Sequence, residues 1–463
     1  MSKFRLNFTL KQHTPIIHFQ SDQSGATLRA TELKPKLDRF LLENVEGIPF
    51  RENANGSKSL DYKVIIVPKN SIEIFDIAPE YKHFNYKKKE EETRTLPFPT
   101  FFASIDKEWK EKSKKIKFSL TNNHLLTIIT FNENLKSAIE KNISLFFYLH
   151  NFGMRQSKGF GSFTIENGEI DDKIINSHYY IDIDINYLNR LIYQENKRTL
   201  KFNKELSSKF LEPITPSYEN NYLLFKAIDL FYKTLRSGIN FNKFYFKSLM
   251  FLYAKERLNT QWDKKLFKST FLLPKYINEQ TQKHNNSNCK DILTYSTENK
   301  YLLRDCLGLS TIQEYNYSRE YRNSEKFTIR HPSTDLKKLD RFKKEEINPN
   351  SMVRFQSPLL IKPILIKPQT YRVFLIPKEY PENIFDENIT ILKIKNNKVE
   401  NKIDDLKLYP NFNLQEYLDF AFSKDIKQHI ERCGTNSSLL ESQLLIKIYT
   451  QLNKQQKERG VSS

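Results

Sequence analysis

The chain has 463 residues, with 74 Lys and Arg against 55 Asp and Glu, a formal charge of +19, and three cysteines. At roughly 150 residues per domain this length gives two or three domains. Cys289, Cys306 and Cys433 lie far apart with no closely spaced cysteine pair, which argues against a disulfide framework or a zinc site and fits a reducing cytoplasm.

Met1 to Phe8 alternates polar and apolar residues where a signal sequence would run apolar, and no later stretch is apolar enough to span a bilayer. A cytoplasmic protein with no membrane contact is expected. The positive excess points to a polyanionic partner, nucleic acid first. An AT-rich genome raises Lys but also Glu, so it need not unbalance the signs. Aromatics make up 13% of the chain. Some of these rings are candidate stacking platforms for bases, and most belong to the core.

Phe4, Leu6, Phe8 and Leu10 alternate with Arg5, Asn7, Thr9 and Lys11, the period-2 pattern of a half-buried strand. Thr14-Pro15 ends it. Around Leu33 to Leu42, Leu37, Phe40 and Leu41 recur at helical spacing, and Pro35 suits a first turn. Tyr62 to Val67 and Leu125 to Phe131 read as strands separated by a long insertion. Within it lie Ser71 to Phe75, the run Lys87 to Glu92 and a basic stretch from Lys110 to Lys117. This is expected to be a solvated arm, able to follow a phosphate backbone. Asn134 is the expected cap of a helix carrying Leu135, Ala138, Ile139, Leu145, Phe146 and Leu149, and Ser162 to Ile165 is a short last strand.

The order β-α-β-β-α-β predicts a ferredoxin-like (RRM-like) domain over residues 1–170, with insertions. Residues 171–463 are expected to form a second α+β, partly helical domain, a candidate diverged copy of the first. Strands are expected at Tyr179 to Ile185, Val353 to Ile366, Tyr371 to Ile376 and Ile389 to Ile394. Helices are expected at Tyr222 to Arg236, Phe244 to Arg257, Asn413 to Phe422 and Ser438 to Gln455. Polar linkers are expected at Asn278 to Asn288 and Glu314 to Asn350.

The segment Asn151 to Phe163 holds glycines at 153, 159 and 161, cations Arg155 and Lys158, and Phe160. Glycines let a backbone approach a ligand and turn N–H groups toward phosphate, the cations supply charge, and Phe160 is a candidate to stack on a base. The segment lacks the Gly-Lys-Ser/Thr end of a Walker A loop, and it follows a helix, unlike a dinucleotide fingerprint. A Gly-Phe-Gly alone is most often a tight turn.

Lys158-Gly159-Phe160-Gly161-Ser162 before the last strand of such a unit resembles the signature loop of the RAMP superfamily of CRISPR-associated proteins. Arg29 to Phe40 resembles that family's first-helix motif, with Pro35 where the family usually has Gly, and Thr14-Pro15-Ile16 resembles the end of its first strand. Only Gly153 precedes Arg155, where relatives often show two or three glycines. The segment Arg354 to Pro363 resembles one in the C-terminal half of two-domain RAMP subunits of type III-B (Cmr) effector complexes; read by itself it is an edge strand with prolines.

The resemblance implies a non-catalytic subunit contacting guide and target RNA beside other RAMP subunits. Arg29, Lys34, Lys36, Arg39, Gly153, Arg155, Lys158, Gly159, Phe160, Gly161, Arg354 and Lys362 are then the RNA-binding candidates. A second reading is a metal-independent endoribonuclease that matures guide RNA, with His13 or His18 in proton transfer. No base is recognisable beside either histidine, and structural roles are the expectation for both. A third is an unrelated RRM-like binder of cellular RNA. No carboxylate cluster suggests a two-metal nuclease, and no metal or cofactor is expected.

Overall fold

In a computed structural model, residues 4–17, 26–76, 79–85, 89–95, 98–99, 117–196, 215–241, 244–260, 262–263, 266–267, 300–309, 312–316, 326–330, 352, 355–395, 398–434 and 439–460 are described. The alternating N-terminal segment forms strand β1 (Arg5–Gln12), with Leu6 and Leu10 buried and Arg5 and Asn7 exposed. It is followed by α1 (Ala30–Asn44), β2 (Lys63–Pro68), β3 (Asn123–Ile129), α2 (Glu133–Leu149) and β4 (Phe163–Ile165). The sheet order is β4-β1-β3-β2, every neighbouring pair antiparallel. Leu33, Leu37, Phe40 and Leu41 of α1 and Leu135, Ile139, Ile143 and Phe146 of α2 share one core with Leu6, Leu10, Leu126 and Ile128 of the strands.

Two local expectations are corrected. The α2 cap is Asn132, whose side-chain oxygen accepts from the Leu135 N–H at 3.0 Å. Asn134 lies inside the helix. Helix α1 begins at Ala30, about a turn earlier than the proline suggested, because Leu33 adds a buried position ahead of Leu37. Pro35 thus sits inside the helix, where its missing N–H removes one intrahelical bond.

Between β2 and β3, Glu73–Asp76 pairs with Lys117–Leu120, and Glu80–Asn85 with Glu90–Thr95. Lys87, Lys88 and the basic stretch from Lys110 as far as residue 116 lie outside the described residues.

The chain divides into two compact units. The first takes residues 1–229, 360–376 and 438–455, so it includes three stretches that a cut at residue 170 assigns to a second domain. These supply β5 (Tyr179–Asp184), the first part of α3 (Pro216–Arg236), and most of β6 (Leu359–Lys367), β7 (Thr370–Pro377) and α4 (Leu440–Glu458). The sheet order is β5-β7-β6. Side chains answer both outer edges. On β5, the Gln455 amide accepts from the Tyr180 N–H (3.0 Å) and donates to its carbonyl (2.7 Å), and Gln451 treats Asp182 the same way (2.8 and 3.2 Å). Asp182 is half-buried and makes a two-point ion pair with Arg372 (2.8 and 2.9 Å).

The second unit is also α+β. Its five-stranded sheet runs Tyr301–Leu302, Lys398–Leu408, Ile389–Lys395, Lys326–Arg330, Ile312–Asn316, with the first pair parallel. Helices Leu249–Glu256 and Leu414–Ser423 pack together through Tyr253, Tyr417 and Phe420. Of the polar stretches read as linkers, 278–288 lies outside the described residues, and Glu314 to Asn350 contains two strand segments of this sheet. No helix among the described residues is long and apolar enough to cross a membrane.

Candidate nucleic-acid interface

The residues just after β1 make the floor of the glycine loop. The Thr14 hydroxyl donates to the Gly159 carbonyl (2.7 Å) and accepts from the Ser162 N–H (2.9 Å). Gly161 N–H donates to Pro15 O, and Met154 N–H to Ile17 O, both at 2.8 Å. This is what Thr-Pro-Ile does at a strand end.

Gly153, Gly159 and Gly161 have φ of +77°, +99° and +63°. A Cβ on Gly153 would lie 2.5 Å from Ile17 O, and one on Gly161 1.9 Å from Phe152 O, closer than any side chain survives. The glycines are required because the loop is pressed onto the chain beneath it. The expectation that they free N–H groups for phosphate is corrected: Gly153 donates to Glu32 Oε1 (2.7 Å), Gly159 to Gln156 O (3.2 Å) and Gly161 to Pro15 O.

On one side, α1 grips the loop. Lys36 Nζ donates to Glu32 Oε1 (3.0 Å), Asn151 O (3.1 Å) and Gln156 Oε1 (2.9 Å). An ammonium has three donors, so those of Lys36 are all used inside the chain. Lys34 Nζ donates to Asp38 Oδ2 (2.7 Å) and Leu60 O (2.9 Å) and lies 4.3 Å from the centre of the Tyr62 ring. Both lysines, RNA-binding candidates by sequence, are thus engaged inside the chain, Lys36 with every donor. Arg39 is exposed and Arg29 half-buried.

On another side stands β6. Asn151 Nδ2 donates to Ile361 O (2.8 Å), Ser162 Oγ to Pro363 O (2.7 Å), and Leu365 N–H to His13 Nδ1 (3.1 Å). These alternate residues share one strand edge. Pro363 fits there because a proline offers no N–H to an unpaired edge. Lys362, expected at RNA, is fully buried and donates to His150 O (2.8 Å) and Phe163 O (2.9 Å). That expectation is corrected, since phosphate cannot reach it. Phe160 is corrected likewise: it has no exposure and stacks on Phe225 at 3.9 Å in a cluster with Phe98 and Phe118.

Arg155 precedes and Lys158 ends the short turn Gln156–Lys158, both half-buried, with Arg155 itself left-handed at φ +56°. His18 and Arg354 lie outside the described residues. Sequence reasoning missed Glu32, Asn151 and Ser162 as loop-holding residues; the signal was the i,i+4 Glu32/Lys36 pair ahead of a glycine loop.

His13 is 3% exposed. Its Nδ1 accepts from Leu365, so Nε2 carries the hydrogen and donates to Thr164 Oγ1 at 2.7 Å. Burial first, then the Lys362 and Lys11 charges, holds its pKa well below the usual histidine value. His124 of β3 is fully buried, neither ring nitrogen has a hydrogen-bond partner among the described residues, and burial pushes it down to about 4. Both histidines fold neutral while the unfolded chain protonates near pH 6.5. Their contribution is therefore complete above that pH and drains away as pH falls, for His124 through about 4. Unfolding free energy is expected to drop between pH 7 and 5, and His124→Leu to shrink that drop by about 2 kcal/mol. Urea titrations at both pH values, in which the variant loses as much as wild type, would refute the assignment.

An all-antiparallel sheet with two helices on one face, and a glycine loop seated between the end of β1, helix α1 and strand β6, marks a RAMP-class protein. The chain belongs to the Cmr1 family: the family model for the Cmr1 N-terminal domain matches residues 3–239, and that for the C-terminal domain residues 245–443. Among solved structures it is similar to the apo crystal structure of Cmr1 from Pyrococcus furiosus, at 12% identity over 82% of this chain and 90% of that one, TM-score 0.29. It is also similar to a chain in a cryo-EM structure of the type III-B Cmr-beta complex bound to cognate target RNA and AMPPnP in the presence of ssDNA. That match has 12% identity over 81% of this chain and 94% of that one, TM-score 0.30. No curated protein matches the chain.

Proposed function

We propose that the protein is a non-catalytic, RNA-binding subunit of a type III CRISPR RNA-guided effector complex, contacting guide or target RNA beside other RAMP subunits. In this reading its N-terminal domain is ferredoxin-like. The strand order β4-β1-β3-β2, with a helix after the first and third strands, supports that fold. Cmr1 family membership and the +19 charge support the partners.

The observation that carries the reading is the loop itself, bonded to β1, α1 and β6, with Arg155 and Lys158 bracketing its turn. A fixed backbone bearing two cations suits a phosphate chain, which reads charge and spacing and no base. The endoribonuclease reading gives His13 or His18 a proton exchange with substrate. His13 is buried and neutral with both ring nitrogens occupied, which supports a structural role.

Affinity for single-stranded RNA is expected to fall steeply with salt through counterion release. Arg155→Ala and Lys158→Ala should each weaken binding to all sequences alike and lower the log–log salt slope by about one. A wild-type slope near zero would remove nucleic acid from the partners. Unchanged affinity in both variants would move the contact elsewhere on the chain.

A further inference from the structure

We infer that Glu32 is a positioning residue for RNA, setting the glycine loop through the Gly153 amide; the inference rests on the RNA-binding reading above. Glu32 lies in the first turn of α1. One carboxylate oxygen, Oε1, accepts from Gly153 N–H at 2.7 Å and from Lys36 Nζ at 3.0 Å. Lys36, one turn later, reaches past it to Asn151 O and Gln156 Oε1, and its ammonium lies 4.8 Å from the centre of the Phe152 ring. A single ion pair thus holds residues 151, 153 and 156, on both sides of Arg155.

The clamp acts where the loop is least able to hold itself. Arg155 is left-handed, a conformation that a residue with a Cβ keeps only when its surroundings over-determine it. Asn151 Nδ2 to Gln156 O (2.7 Å) and the Lys36 bonds provide that determination. Bonds from a carboxylate to an amide and an ammonium are charge-assisted and stronger than neutral ones. Glu32 and Lys36 keep only 24% and 25% of their side-chain surface exposed, so water competes weakly for them. Without the carboxylate the Gly153 amide loses its acceptor and Lys36 its counter-charge. RNA would then have to order the turn as it binds, and affinity drops by the cost of that ordering.

The direction of the effect separates positioning from electrostatics. Removing a negative charge beside a phosphate site strengthens binding if charge alone matters. Loss of a positioning residue weakens it. The experiment compares Glu32→Ala, Glu32→Gln and wild type, on the full chain, for Gly153 amide hydrogen exchange, single-stranded RNA affinity across salt, and melting temperature. Glu32→Ala should speed Gly153 exchange and weaken RNA binding about tenfold at an unchanged salt slope, well below its melting temperature. Glu32→Gln keeps an acceptor oxygen for the Gly153 amide but loses the charge, and should fall between Glu32→Ala and wild type. Glu32→Ala that binds RNA as well as wild type or better overturns the inference. So does equal weakening in Glu32→Gln, because the hydrogen bond is then irrelevant. If wild type binds no RNA at any salt, the function reading fails, and Gly153 exchange still reports whether the clamp holds the loop.

Discussion

Gly161→Val should be the most damaging substitution in the loop, lowering unfolding free energy by about 4 kcal/mol and the melting temperature by roughly 10 °C. Two independent costs add. At φ +63° a β-branched residue is a backbone outlier. A Cβ there would also lie 1.9 Å from Phe152 O, so the chain must move, and moving it breaks the Gly161 N–H to Pro15 O and Phe152 N–H to Gly161 O bonds. Gly47→Ala isolates the first cost, because Gly47 has φ +73° and nothing within 4 Å of the added carbon. That control should lose only about 1 kcal/mol. Equal melting temperatures for the two variants would show that the close approach to Phe152 is absent in solution.

Lys362→Met should destabilise by about 3 kcal/mol while leaving the salt dependence of RNA binding untouched. Methionine fills similar space but cannot donate, so the carbonyls of half-buried His150 and buried Phe163, both bonded to the ammonium, lose a donor. Each such loss costs about 1–3 kcal/mol. A salt slope lowered by about one at wild-type stability would instead return Lys362 to the RNA surface.

Much of the N-terminal unit was legible because its signals are local. The alternation in β1 and the helical spacing in α1 and α2 announce one buried face each, and the β-branched run Val64 to Val67 marks β2. The glycine loop was legible as a special backbone. Its reason was not, since the atoms that demand glycine, Ile17 O and Phe152 O, are brought there by folding.

Phe160 and Lys362 misled for the same cause. An aromatic between glycines and a lysine beside prolines look like surface chemistry until Phe225 and His150 arrive from elsewhere in the chain. The hairpin Glu80–Asn85/Glu90–Thr95 was hidden by composition. Three glutamates in one strand have low β-propensity, and pairing such as Lys82 with Glu91 (3.7 Å) appears only across the ladder.

The two glutamines of α4 have a further consequence. An unanswered strand edge is a template on which another chain can add a strand, the first step toward edge-to-edge polymers. On β5, Gln451 and Gln455, one helical turn apart, offer the donors and acceptors that a neighbouring strand would have offered to Asp182 and Tyr180. A helix, which cannot itself be extended sideways, stands in for the missing strand. This part of the sheet is thereby closed to self-association. A chain shortened before Gln451 would carry an adhesive ribbon where the intact protein has a finished surface.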